Sequence, residues 1–195
     1  MDVAFDRLLT PRLLLRRFGD ADAEALSRYR SDPEVARYQG WDAPFLVEHA
    51  RAFTAWLAGR HPDEPGEWYQ LAIVHREDPD TLVGDCGFRA RIEEPGIVDI
   101  GFTLDPAVHG RGYATEAVGE LLRYLFEDRG KHRLCADCDS RNAPSWRLLE
   151  RLGFRREGEL RQSYCHAGQW ADEFLYAILA DDWRERQQRA IVAIR

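Results

Sequence analysis

Hydrophobic positions recur along the chain with two alternating spacings, one typical of strands and one typical of helices. Runs rich in β-branched, aliphatic and aromatic residues predict strands at 13–16, 68–74, 82–88, 97–104, 133–138, 154–164 and 173–179. Helical spacing predicts a helix capped by Asp20 or Asp22, and further helices at 45–57, 114–127 and 145–152. The order is β-α-α-β-β-β-α-β-α-β-β, which indicates a mixed α/β (α+β) fold whose middle strands form an antiparallel meander.

The length and composition of the chain are those of one globular domain. It has 195 residues, of which 45% are hydrophobic and 31% are charged. This balance argues against disorder, collagen-like repeats and coiled-coil rods. Because we find no repeat, low-complexity tract or Gly/Ser linker, we expect one domain over residues 1–195 with a core at about 10–185.

Charge and residue usage restrict the partners and the compartment. A net charge of −7 makes nucleic acids and anionic membranes poor partners, whereas cationic amines are compatible with it. The acidic N-terminus leads into no apolar signal segment, and four cysteines are too few for a disulfide scaffold, so we expect free thiols and a cytoplasmic protein. Six scattered histidines predict no metal site. Cys135 and Cys138 have redox-type spacing, but residues three apart on a strand face opposite sides, so we expect core cysteines.

The segment after the strand at 97–104 carries the most chemical information. Gly110 and Gly112 lie between this strand and the helix that follows. Free N–H groups in such a turn and in the first helical turn converge on an anion, and a pyrophosphate fits there. A Gly-x-Gly pair alone is a weak signal, because caps, bulges and ordinary turns also contain it. P-loop and Rossmann motifs are missing, which disfavours nucleoside triphosphates and NAD.

The sequence His109-Gly110-Arg111-Gly112-Tyr113-Ala114 resembles the Gln/Arg-x-x-Gly-x-Gly/Ala acetyl-CoA signature of the GNAT superfamily of N-acetyltransferases. Segments at 10–16, 110–117, 142–154 and 168–176 are similar to its RimJ/RimL-like branch, in the same order and over nearly the whole chain. The resemblance implies a GNAT fold with a mixed, mostly antiparallel central sheet of about seven strands, flanked by helices. It also implies an acetyl-CoA-dependent enzyme in which a primary amine attacks the thioester directly, without an acyl-enzyme.

The resemblance further implies which residues hold acetyl-CoA. Backbone groups of Phe102, Thr103 and Leu104 would line the pantetheine arm, and Asn142 would approach the thioester and take part in catalysis. The pyrophosphate would be held by a loop of seven residues: His109, Gly110, Arg111, Gly112, Tyr113, Ala114 and Thr115. Two positions depart from the family pattern, because His109 replaces Gln/Arg and Leu149 replaces a tyrosine that protonates the thiolate. Ser145 is then the nearest candidate general acid, although a serine in a first helical turn is equally compatible with a structural role.

Amine attack requires a neutral nucleophile. An α-amine is about 10% neutral at pH 7 and a lysine-like amine about 0.04%, so a nearby carboxylate is expected to act as a base. Asp99 is the first candidate, because the resemblance places the strand segment that it precedes beside the thioester, and Asp85 is the reserve. An alternative for Asp99 is a solvent-facing strand residue at the edge of the cleft.

The acceptor and the assembly are less defined by the sequence. Pro33, Trp41, Asp85 and Tyr164 are expected to border the acceptor site, which takes a small-molecule or peptide amine. Protein N-terminal amines, polyamines and aminoglycosides all stay open. A non-catalytic acyl-CoA-binding or regulatory module is the competing class, and the chain is expected to be a monomer or a homodimer.

Overall fold

The computed structural model describes residues 7–62, 64–166 and 168–193. Within these residues, one sheet contains eight strands: β1 (Arg7–Leu9), β2 (Leu13–Arg16), β3 (Tyr69–His75), β4 (Leu82–Ala90), β5 (Ile97–Leu104), β6 (Arg133–Asp139), β7 (Arg155–His166) and β8 (Gln169–Leu179). The helices are α1 (Ala23–Arg30), α2 (Pro33–Ala36), α3 (Val47–Ala58), α4 (Tyr113–Arg123), α5 (Ala143–Leu152) and α6 (Ala180–Ala193). The predicted α/β class and the order of its elements are confirmed.

The structure adds elements that periodicity did not predict. β1 is an eighth strand, and its Leu8 pairs with Leu15 of β2. In α6, Trp183 is buried in the core and Ala180 packs against it, but the other residues up to Arg189 are polar, so no stripe of hydrophobic residues predicts this part of the helix. The helix predicted to reach 127 stops at Arg123 and continues as a π-helical turn, Tyr124–Asp128. That wider turn brings consecutive aromatic and aliphatic side chains into the core.

The sheet opens between its two parallel strands. Its order is β1-β2-β3-β4-β5-β6-β8-β7, and β5 with β6 is the one parallel pair among the described strands. This pair is short, because Ile97, Val98 and Asp99 are the residues of β5 that pair with β6. Beyond Asp99, β5 stays paired with β4, while β6 stays paired with β8. A gap therefore separates the ends of β5 and β6.

Each face of the sheet packs against its own helices. Helices α4 and α5 cover one side, where they bury the larger apolar cluster, and α1 and α3 cover the other. Because side chains alternate along a strand, Ile100 of β5 joins the α4–α5 core, while its neighbours Asp99 and Gly101 face the α1–α3 side. None of the helices in the described ranges is both long and apolar enough to cross a lipid bilayer.

Candidate functional site

A glycine loop joins the end of β5 to helix α4. Gly110 and Gly112 have φ angles of +75° and +79°, in the left-handed region that other L residues rarely adopt. Gly112 is the N-cap of α4, and both glycines are exposed. The Gly-x-Gly spacing therefore reflects a backbone requirement at the mouth of the gap.

The backbone donors of this loop point to an anion. The first hydrogen bond of α4 joins the Glu116 N–H to the Gly112 carbonyl at 3.1 Å. Within the described chain, the N–H groups of residues 110–115 have no protein acceptor. The positive end of the helix dipole adds to them, so the loop fits a pyrophosphate group.

His109 fastens the start of the loop to the end of β5. Its Nε2 lies 3.0 Å from the Leu104 carbonyl oxygen, and because a carbonyl only accepts, Nε2 is the donor. Thr103 and Leu104 are buried and Phe102 is half-buried. The edge of β5 formed by these residues faces the gap without a strand partner.

Helix α5 begins directly after β6, on the other side of the gap. Asn142 is its N-cap, and the Asn142 side-chain oxygen accepts a hydrogen bond from the Ser145 N–H at 3.4 Å. Ser145 lies in the first turn and is half-buried. Leu149 is 1% exposed and belongs to the core. The N-termini of α4 and α5 thus lie next to the two strands that separate.

Asp99 faces the α1–α3 side at the point where the strands separate. Its Oδ2 accepts from Arg89 Nη2 at 3.2 Å, and its Oδ1 accepts from Arg91 Nη2 at 2.8 Å. Both oxygens of this half-buried carboxylate are therefore engaged by guanidinium groups. The Trp68 ring lies beside Arg89 and covers Gly101, where an added Cβ would be 3.6 Å from the indole.

Asp137 is a site residue that the sequence analysis did not identify. It lies on β6 beyond the last β5–β6 pair, on the same side of the sheet as Asp99. Its side chain is exposed, but the surrounding protein raises its pKa, first by desolvation and then by the charges of Glu173 and Asp99, while the charge of Arg89 opposes the shift. No lysine or arginine in the described ranges forms an ion pair with Asp137.

The alternation on β6 was the signal that could have revealed Asp137. Leu134 and Ala136 belong to the α4–α5 core, whereas Cys135 and Asp137 occupy the opposite face. Cys138 packs against the α4–α5 core, so the prediction that the two cysteines face opposite sides is confirmed. All four cysteines are free thiols.

Asp85 has a different environment from the one expected of an acceptor-site residue. Its side chain is 5% exposed, it accepts a short hydrogen bond from the Tyr29 hydroxyl, and it forms an ion pair with Arg30 at 3.2 Å. Burial, followed by the charge of Asp85, raises the pKa of Tyr29 well above its ordinary value. This enclosure does not favour Asp85 as an acceptor-site residue or reserve base, a role that stays a prediction. Its carboxylate is enclosed by α1 and contributes to the core.

Tyr164 and Trp41, two of the predicted acceptor residues, belong to segments that are joined by a hydrogen bond. The Tyr164 hydroxyl donates to the Gln39 carbonyl at 3.0 Å, which joins the β7–β8 hairpin to the segment after α2. Trp41 in that segment lies 4.2 Å from the Arg30 guanidinium and donates from Nε1 to the Arg30 carbonyl. Pro33 is the exposed first residue of α2, the short helix that precedes this segment. In the described ranges, no three His, Cys, Asp or Glu side chains are grouped to hold a metal ion.

Comparison with known proteins identifies the family. Residues 12–155 match the acetyltransferase (GNAT) domain. The uncharacterized N-acetyltransferase YnaD of Bacillus subtilis is 32% identical over 90% of this chain and 98% of its own length. The [ribosomal protein uS5]-alanine N-acetyltransferase of Escherichia coli is 33% identical over 91% of this chain and 92% of its own.

A solved structure agrees with the sequence matches. The GNAT-family acetyltransferase of Bacillus anthracis superposes with a TM-score of 0.81, at 32% identity, over 90% of this chain and 99% of that one. The gapped sheet and the glycine loop are thus those of an acyl-group-transferring enzyme. The chain belongs to the GNAT family and is an N-acetyltransferase, as its motifs predict.

Proposed function

We propose that this enzyme transfers the acetyl group of acetyl-CoA to the N-terminal amine of a peptide or protein, by direct attack on the thioester. The observation that carries the proposal is the row of N–H groups at residues 110–115 without a protein acceptor, at the mouth of the gap. Use of acetyl-CoA is typical of the family, and this loop suits its pyrophosphate. The acceptor enters from the α1–α3 side, where the carboxylates lie.

Acetyl-CoA is held mainly by backbone in this proposal. The seven residues from His109 to Thr115 bind the pyrophosphate, and the open edge of β5 at Phe102, Thr103 and Leu104 contacts the pantetheine arm. Asn142 retains its amide N–H₂ for the thioester end, because its side-chain oxygen already caps α5. Acetyl-CoA itself supplies the activated acyl group.

Asp137 takes the proton of the attacking amine in this proposal, and Asp99 is the alternative that the sequence favours. A general base must be ionised at the working pH and must also be basic enough to accept a proton. A raised pKa makes a carboxylate a stronger base. Asp137 has a raised pKa and forms no ion pair in the described ranges, although the charge of Arg89 acts on it, whereas both oxygens of Asp99 accept from arginines. Asp99, Arg89 and Arg91 then shape the wall beside the amine.

Departure of CoA needs little help from an acid. Alkyl thiols ionise near pH ~8.5, so a thiolate leaves with a modest demand for a proton. Leu149 has no proton to donate, whereas Ser145 in the first turn of α5 carries a hydroxyl and is half-buried. Ser145 is therefore proposed as a hydrogen-bond donor to the departing sulfur.

The choice of a peptide acceptor rests on the surroundings of the gap and on the relatives. The Tyr164–Gln39 hydrogen bond connects the β7–β8 hairpin to the segment that contains Trp41. The Escherichia coli relative carries the name of an enzyme that acetylates an alanine of a ribosomal protein. Pro33, Trp41 and Tyr164 are proposed to contact the acceptor.

Two broader expectations stay proposals. β7 and β8 lie outside the matched family region yet complete the same sheet, which supports one domain over the whole chain. Four free thiols suit a reducing compartment, so the enzyme is proposed to act in the cytoplasm.

Calorimetric titration followed by turnover tests the function. CoA and acetyl-CoA are expected to bind, ATP and NAD are not, and peptides with a free N-terminal alanine should release CoA from acetyl-CoA. The same peptides with a blocked N-terminus are the matched controls. Absence of CoA binding would refute the proposal, and binding without turnover for any amine would favour the non-catalytic module.

A further inference from the structure

The carboxylate of Glu116, in the first turn of α4, is enclosed by a turn distant in sequence. Its Oε1 accepts from the Thr10 hydroxyl at 2.6 Å and from the Arg12 N–H at 2.8 Å. Its Oε2 accepts from Arg12 Nε at 2.6 Å. Burial opposes ionisation, but these hydrogen bonds outweigh it, so the pKa of Glu116 lies below its ordinary value. The turn between β1 and β2 thus holds the start of α4.

Arg12 also reaches the glycine loop itself. Its Nη1 donates to the carbonyl oxygen of Arg111 at 3.0 Å, and its guanidinium lies 4.7 Å from the centre of the Tyr113 ring. The other side of this contact is supported by His75, whose ring meets Tyr113 edge-on at 5.2 Å. One side chain therefore connects Glu116, the Arg111 carbonyl and the Tyr113 ring.

The bond to the Arg111 carbonyl determines where the next N–H points. In a trans peptide the C=O of one residue and the N–H of the next point in opposite directions. With the Arg111 carbonyl directed to Arg12, the Gly112 N–H points away from Arg12. Glycines at 110 and 112 impose little resistance to rotation of the peptides between them. A loop of this composition needs an external contact to keep its donors in one orientation.

We propose that Arg12, fixed by Glu116 and Thr10, is a positioning residue that holds the 110–113 loop in the conformation that binds the pyrophosphate of acetyl-CoA. It acts through the Arg111 carbonyl. The guanidinium group is required, because its several N–H donors allow one side chain to hydrogen-bond to a carboxylate and to a carbonyl at the same time. The inference rests on the proposed function, since it takes acetyl-CoA as the ligand of this loop.

A direct contact between Arg12 and a phosphate is the competing explanation, because the Arg12 side chain is 49% exposed and an added Cβ at Gly112 would lie 3.5 Å from Nη2. Two substitutions separate the ideas. Arg12→Gln removes the charge and the fork, whereas Arg12→Lys keeps the charge and removes the fork. Arg123→Gln is the matched control, because Arg123 pairs with Glu120 and Asp128 at the far end of the same helix.

The experiment measures the Kd of CoA by calorimetry, and kcat and the acceptor KM at saturating acetyl-CoA. Arg12→Gln and Arg12→Lys should both weaken CoA binding by about 10- to 100-fold, while kcat and the acceptor KM stay within about twofold of wild type. Arg123→Gln should leave the Kd unchanged, even where the melting temperature of the apo protein falls. If Arg12 had a purely structural role, its variants would behave like this control, and the Kd of CoA would stay unchanged.

The outcomes also separate this inference from the proposed function. If Arg12→Lys binds CoA with wild-type affinity, the positioning role is overturned in favour of direct attraction between the charge at residue 12 and a phosphate. If both variants bind CoA with unchanged affinity, Arg12 has no role in binding. If Arg12→Gln does not fold, Arg12→Lys with the same binding assay decides between positioning and its absence. Failure of the wild-type protein to bind CoA would instead refute the proposed function.

Discussion

The two sides of the gap are built in different ways. On the acetyl-CoA side, the groups proposed to bind the ligand are backbone N–H donors of one continuous loop, residues 110–115. On the acceptor side, the proposed groups are side chains such as Asp99, Asp137 and Tyr164, which come from three separate strands. A site formed by the backbone of one loop can therefore be predicted from a local sequence motif. A site formed by side chains from several strands has no such motif.

The largest predicted effect is on the acceptor side. Asp137→Asn should lower kcat/KM for an amine of high pKa by about 10² to 10⁴, because the amine then loses its base. Binding of CoA should stay close to wild type. Because the pKa of Asp137 is raised, the acidic limb of the wild-type rate profile should lie at higher pH than an unperturbed aspartate would give, and this limb should vanish in the variant.

Asp99→Asn is the matched control for that prediction. It should cost about tenfold or less, since it disturbs Arg89 and Arg91 and removes no base. The Asp137→Asn deficit should shrink as the pH rises toward the amine's own pKa. Should Asp99→Asn cause the larger and pH-dependent loss, the base is Asp99 and the assignment of Asp137 is mistaken.

A second substitution tests whether Asp85 belongs to the core. Asp85→Asn leaves Arg30 buried without its ionic partner, which should lower the free energy of unfolding by about 3 kcal/mol, measured by denaturant titration. The rate profile of the folded variant against pH should keep its shape. A shifted acidic limb with unchanged stability would return Asp85 to the acceptor site.

The glycine loop is tested by Gly112→Val. A β-branched residue at φ +79° is strained, so the loop should change shape and weaken CoA binding by about 100-fold, while the far side of the sheet is unaffected. Gly130 also has a positive φ, +61°, but lies beyond the far end of α4, so Gly130→Val is the control. Equal CoA affinity in both folded variants would show that backbone shape does not govern the site.

The smallest effect concerns Glu116 and depends on pH. Glu116→Gln should lower the free energy of unfolding by about 1 kcal/mol at neutral pH, because it removes the charged partner of Arg12. The Glu116 pKa is lowered by folding from 4.5, so its stabilisation is complete above that value and is lost as the pH falls through the folded-state pKa. Chemical denaturation at several pH values measures this, and a difference that persists at strongly acid pH contradicts it.

Sequence periodicity was sufficient for most of the fold, and its errors have physical causes. The seven predicted strands and the helices between them were predicted from the local spacing of hydrophobic residues, and this spacing is present within each segment. Helix α6 escaped prediction because its stability comes from Trp183, which stacks on Phe126 in the core at 5.8 Å. β8 begins at Gln169, before the predicted start at 173, because pairing with β7 extends it. Such extensions depend on a partner strand.

The sequence by itself determined the class of this enzyme and its acetyl-CoA loop, because the glycines at 110 and 112 and the helix after them are contiguous. Only the tertiary structure decided the surroundings of each carboxylate, and with them which one is proposed to serve the acceptor. Asp85, Asp99 and Asp137 are alike as residues, but one is enclosed with Tyr29 and Arg30, one is held by two arginines, and one stands open to the gap. The chemistry of a carboxylate depends on its neighbours, and in this protein those neighbours come from strands and helices far apart in the chain.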